Sequence, residues 1–126
     1  MENNNLPFTL PPKELLFSIS TKGSITGREY TGNFIIIPPR VKEMSKIGLE
    51  LGMLGAGVKF EDMPFETRIL HYAIAYLKVL LVQSPEWFSK EMEFGLNSYD
   101  PNIIIEIYNL AKEKVDNWYD ALMPKA

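Results

Sequence analysis

Apolar and polar side chains change rhythm four times along this chain, and each change predicts an element. Leu15, Phe17 and Ile19 alternate with Leu16, Ser18 and Ser20, which is the period-two pattern of a strand. Lys22-Gly23-Ser24-Ile25-Thr26-Gly27 supplies turn chemistry, and a second strand is expected from Arg28 to Ile37 with Tyr30, Phe34 and Ile36 on one face. Gly32 falls on that same face, where a glycine marks a bulge or a close backbone approach. Two strands alone are marginal in water, so this hairpin must pack on helices or extend into a sheet.

After Pro38-Pro39 the period lengthens. Val41, Met44, Gly48, Leu51 and Gly55 recur every three or four residues, while Arg40, Lys42, Glu43, Lys46 and Glu50 take other faces. This is an amphipathic helix with Pro39 in its first turn, closed by Gly55-Ala56-Gly57. Gly48 and Gly52, one turn apart, each cost about 1 kcal/mol relative to alanine. They predict a close crossing by another helix or by the hairpin, or else a hinge. Asp62 is the expected cap of the next helix, with Pro64 in its first turn. The run from Ile69 to Val82 is then almost wholly apolar. Its polar edge reduces to Arg68, His71, Ala75 and Lys78, so it reads as the central helix, covered on at least two sides. Ser84-Pro85 breaks it, and Pro85–Met92 is expected to be a short helix capped by Ser84, followed by a loop over Phe94–Tyr99. Asp100-Pro101 opens a last helix whose apolar face runs through Ile104, Ile107, Tyr108, Ala111, Val115, Trp118, Tyr119 and Leu122, with Lys112 and Asp116 paired outside. Residues 1–13, with Pro7, Pro11 and Pro12 among alternating Leu6, Phe8 and Leu10, read as an extended arm, either free or docked on a neighbouring subunit. Met123–Ala126 are expected to fray. The predicted architecture is α+β: a hairpin or small sheet on three main helices plus a short helix after Pro85, forming one domain over residues 14–126.

Composition narrows the function. A chain of 126 residues can enclose a single core without staples, and it has no cysteine for disulfides, thiolate metal sites or thiol nucleophiles. The net charge of −3, from 13 basic and 16 acidic residues with no basic cluster, gives nucleic-acid binding little support. The longest apolar run contains His71 and Lys78 and is shorter than the roughly 20 residues a bilayer requires, so no membrane role is expected. The N-terminus has neither a basic start nor a signal-length apolar core, and the expected location is the cytoplasm.

Catalytic chemistry is sparse. His71 is the only histidine and has no ligand-spaced partner, and no nucleophile elbow or phosphate-binding glycine loop is present. Carboxylate pairs such as Glu61-Asp62, or Glu91 with Glu93, read as surface charge. No catalytic residue, metal or cofactor is assigned, and a non-enzymatic role is expected. The aromatics carry more information. Trp87, Phe88, Tyr99, Trp118 and Tyr119 fall in the last third of the chain, and are the candidate partner-binding residues. Trp118 either closes the core or faces a partner, and the same two readings stay open for Trp87.

Taken in order, these landmarks resemble the tail assembly chaperones of long-tailed bacteriophages. Those proteins are small, acidic and cysteine-poor. The resemblance runs through Tyr30-Thr31-Gly32-Asn33-Phe34, the proline-led helix from Pro39, the apolar helix running into Pro85-Glu86-Trp87-Phe88, and the Asp100-Pro101 start of a helix ending near Trp118-Tyr119. It covers residues 28–122 and includes no catalytic signature. It implies a protein that keeps a tape-measure protein soluble while tail-tube subunits polymerise around it, acts in the host cell and is absent from the finished virion. It also implies a chain similar to the shorter of two frameshift products. The expected client groove lies between the central and last helices, with Trp87 and Phe88 at its rim, and self-association is expected. The rival reading is a virion structural protein such as a head–tail connector, tail completion or decoration subunit, which the proline-rich arm favours. A small enzyme or regulator is the third.

Overall fold

The computed structural model describes residues 13–122 of the chain. Two antiparallel strands, β1 (Leu15–Lys22) and β2 (Glu29–Ile36), lead into helix α1 (Val41–Gly55). A 3-10 turn at Phe60–Asp62 precedes helix α2 (Phe65–Leu80), which passes directly into a short strand, β3 (Leu81–Gln83). A single turn of π-helix, Trp87–Glu91, and an irregular connection then lead to α3 (Pro101–Leu122). The sheet order is β1-β2-β3, all antiparallel, and α3 packs against β1 as well as α2. This is the predicted α+β architecture with three main helices. The expected arm lies outside the described residues apart from Lys13, as does the expected fraying of Met123–Ala126.

The alternation in the hairpin produces one buried face. Phe17, Ile19, Tyr30, Phe34 and Ile36 join Ile47 of α1, Tyr76, Leu77 and Leu80 of α2, and Ile103, Ile107 and Val115 of α3 in a single cluster. Phe17 and Phe34 sit directly opposite each other in the register, and their rings stack with centroids 5.2 Å apart. Phe34 also meets the edges of Phe88 at 5.7 Å and Trp87 at 6.1 Å, so one fully buried ring ties the sheet to the connection before α3.

β3 was expected to be helix. The uninterrupted apolar run hides the change, because buried strand and buried helix look alike without a period. Pro85 disfavours helix at the residue before it, and Leu81 already has extended geometry (φ −69°, ψ 124°). The freed segment pairs with β2, Leu81 opposite Ile36 and Gln83 opposite Ile35, with a register irregularity between them.

Gly32 is a close approach and not a bulge. The β1–β2 register runs through it unbroken, and a Cβ there would lie 2.3 Å from Cγ of Pro85. Gly32→Ala should therefore destabilise the fold by about 1–3 kcal/mol through overpacking, read by chemical denaturation. Gly48 and Gly52 contradict the expected close crossing. Among the described residues nothing lies within 4 Å of a Cβ at either position, so none of them requires a glycine there. Asp62 does not cap α2. It ends the 3-10 turn, and Pro64 takes the cap position without a side-chain hydrogen bond. Ala75, placed on the polar edge by its phase, is fully buried, since small side chains let α2 approach its neighbours on that side too.

Asp100 has a different role from the expected helix cap. Its side chain turns away from α3 and fastens the β1–β2 turn. Oδ1 accepts from the backbone N–H groups of Ile25 (2.8 Å) and Thr26 (2.9 Å), while Oδ2 accepts from the hydroxyls of Thr26 (2.6 Å) and Tyr30 (2.9 Å). Asn102 extends the clamp, donating to the Lys22 carbonyl and accepting from the Ser24 N–H, both at 2.9 Å. Gly23 makes room for it: a Cβ there would lie 2.2 Å from Oδ2 of Asp100.

Candidate functional site

The five aromatic candidates do not form one surface. Phe88 is fully buried between Phe34, Trp87 and Phe94, so in this fold its ring serves the chain's own core. Trp87 is half-buried. Its ring lies 5.1 Å from that of Tyr30, and its Nε1–H donates to the Thr31 carbonyl at 3.0 Å, which seats it as a lid over the sheet. Tyr99 is 79% exposed on the loop before α3. Trp118 and Tyr119 are half-buried neighbours near the end of α3, and the Tyr119 hydroxyl donates to the Pro39 carbonyl at 2.5 Å. Neither Trp87 nor Phe88 lines the groove between the helices.

The larger apolar surface is on α1, which sequence phase alone assigns to the interior. Only Glu43, Ile47 and Gly55 of this helix are buried. Val41, Ser45, Gly48 and Gly52 form one row on the outside, at offsets 0, 4, 7 and 11. Met44 flanks the row on one side, and Leu49 and Met53 on the other. Val41 is 78% exposed and Leu49 70%, with Met44 and Met53 more than half exposed. The connection that follows adds exposed Val58 and Phe60, and α2 begins with exposed Phe65, whose ring lies 5.7 Å from the Arg68 guanidinium. The one available signal was the glycine pair itself. Two glycines inside a helix that cost stability and fit no neighbour within the fold make sense against a neighbour outside it.

A groove of about 370 Å³ runs along the inner border of this face. Ile47 and Leu51 of α1 form one wall, Tyr72 and Tyr76 of α2 the floor, and Tyr119 of α3 with Pro39 the end. The tyrosines hold one another: Tyr108 meets both Tyr72 (5.9 Å) and Tyr76 (5.1 Å) edge-on. Tyr76 is only 2% exposed, and its hydroxyl has no hydrogen-bond partner among the described residues. Burial pushes its phenol pKa up, so it stays a protonated donor at any physiological pH.

Charges around these surfaces are mostly paired. Arg40 closes on Glu43 through two nitrogens, at 2.9 and 2.7 Å, and Lys78 pairs with Glu50 at 3.1 Å. Lys112 and Asp116 form the expected pair at 2.6 Å. Hydrogen bonds from Arg40 outweigh burial and hold the Glu43 carboxyl at about 2. His71 is half-buried, with Nδ1 lacking a partner among the described residues. Among those residues no group of three histidine, aspartate or glutamate side chains gathers to hold a metal ion, and no helix is long and apolar enough to cross a membrane. Compared with protein-family models, curated proteins and solved structures, the chain matches none.

Proposed function

We propose that this chain is a tail assembly chaperone of a long-tailed bacteriophage, a non-enzymatic domain that holds apolar helical segments of the tape-measure protein while tail-tube subunits assemble around them. The reading rests on the ordered landmarks from Tyr30 to Tyr119 and on one structural observation: α1 turns two bare glycines outward, with Val41, Met44, Leu49 and Met53 exposed beside them. Glycines let a second helix approach closely, and exposed Met44, Leu49 and Met53 would wrap it with large, adaptable side chains. The client surface therefore moves from the proposed Trp87–Phe88 rim to α1. The site of action is the host cytoplasm, and the protein leaves before the virion is complete.

Coexpression with the tape-measure protein from the same genome tests this. The client should become soluble in the presence of the chain, and Gly48→Arg should abolish the effect. A finer test uses two signs at once. Gly48→Ala and Gly52→Ala should each stabilise the isolated fold by up to about 1 kcal/mol, since both sit in open space. Together they should weaken client binding about tenfold, because added methyls overpack a close helix crossing by about 1–3 kcal/mol. Unchanged affinity would remove α1 from the reading. Many copies in purified virions would replace the chaperone with a structural subunit.

A further inference from the structure

We infer that, before a client arrives, the outer face of α1 is covered by the same face of a second copy of this chain, the two helices crossing antiparallel about a two-fold axis. The role of this pair, keeping the client surface closed, rests on the chaperone reading; the contact itself rests on α1. Three features of the helix support it. The first is that its outer row is complementary to itself. In an antiparallel pair centred between Lys46 and Ile47, Val41 falls opposite the partner's Gly52 and Ser45 opposite the partner's Gly48. The two-fold repeats both pairings on the other side of the axis. The one bulky member of the row enters the space over a glycine, and the small members meet each other, so the axes can approach closely. A parallel pair would set Val41 against Val41 and leave the glycines facing each other across a gap.

The second is what flanks the row. The two-fold keeps each flank on its own side, so Met44 lies alongside the partner's Met44 and Leu49 alongside the partner's Leu49. Both are exposed in the single chain, and the pair removes them from water.

The third is charge. Lys42 is exposed in the first turn, on the Leu49 flank, and the last turn of α1 carries no basic residue. Side chains on a helix lean towards its N-terminus. In the antiparallel pair Lys42 therefore reaches the partner's last turn, where the carbonyl end of the helix is negative. A single helix of 15 residues makes a small interface, so the dissociation constant is expected on the order of 10–100 µM, weak enough for a client helix to displace.

Sedimentation of the full chain without client should show a reversible monomer–dimer equilibrium. Val41→Glu should weaken it at least about tenfold by placing a charge against the partner's helix, and it leaves the fold intact because Val41 is exposed. Cysteine cross-linking reads the register, since the chain has no cysteine of its own. A mixture of Val41→Cys and Gly52→Cys chains should oxidise to a cross-linked dimer. Each variant alone should not, because its two thiols lie roughly 16 Å apart along the helices. A chain that stays monomeric up to about 300 µM overturns the inference. So does cross-linking of Val41→Cys alone, which would mean a parallel pair. If the chain dimerises in this register and leaves the tape-measure protein insoluble, the chaperone reading fails and the contact stands. If the chain is monomeric at every concentration and still dissolves the client, the contact fails and the chaperone reading stands.

Discussion

Phe88→Ala is expected to destabilise the protein by about 3–5 kcal/mol, the range for truncating a fully enclosed phenylalanine. The ring has no exposed area, and three aromatic neighbours surround it with centroids 5.7–6.0 Å away. Its loss opens a cavity between β2 and the Trp87–Glu91 turn, where Phe34 cannot follow without leaving its stack on Phe17. A domain of this size has about 5–15 kcal/mol in total, so the variant would sit near the edge of folding. Denaturant titration of the isolated chain reads the effect. Trp87→Phe should cost only about 1 kcal/mol, since it keeps an aromatic lid and loses one hydrogen bond to the Thr31 carbonyl. The contrast decides how partner experiments are designed. A binding defect in a Phe88 variant would report unfolding, whereas Trp87→Phe and Tyr99→Ala leave the core intact.

The hairpin, the three helices and most of the core could be read from the chain, because each has a period and a stop signal. Phe17, Ile19, Tyr30, Phe34 and Ile36 needed only alternation to be placed inside. What escaped has a common cause: it depends on partners distant in sequence. β3 exists because β2 offers it an edge, and nothing within Leu81-Val82-Gln83 distinguishes strand from the helix before it. The helical phase of α1 identifies an apolar stripe but not the direction in which it points. Buried Glu43, neutralised by Arg40, takes an inward position that a charge would not be assigned, and Val41 is left outside. Asp100 followed by proline has the signature of a cap, yet its carboxylate finds four donors some 70 residues away in the chain, too far for any local rule. The candidate site inherits this ambiguity. Aromatic composition points to Trp87 and Phe88, and a glycine pair inside a helix predicts a close crossing or a hinge, neither of which distinguishes a surface left open.

Acid should release the clamp between the hairpin turn and α3. Burial alone would push the Asp100 carboxyl up, but hydrogen bonds from Thr26, Ile25 and Tyr30 outweigh it and hold the group at about 2, below its ordinary 3.8. Glu43 is held at about 2, against an ordinary 4.5. A carboxyl with a lowered folded-state pKa binds protons more readily when unfolded. Its stabilising contribution is complete above the ordinary value and disappears as pH falls through the folded one. Stability should therefore be flat around neutrality and drop between about pH 4.5 and about pH 2. Asp100→Asn isolates one of the two. At pH 7 it should be clearly less stable than the parent, because a neutral amide carries two donors of its own into a site already lined with donors. As pH falls towards 2 the two stability curves should converge, since the parent carboxyl becomes neutral as well. Urea midpoints measured across that window provide the check, and parallel curves would mean that the carboxylate does not hold the turn. Asp100→Ala should be worse at every pH above the transition. It leaves the Thr26 and Tyr30 hydroxyls and two backbone N–H groups without their acceptor, and Gly23 facing an empty space. In that background Gly23→Ala should lose most of its steric cost, so the two substitutions together should be less damaging than the sum of their separate effects.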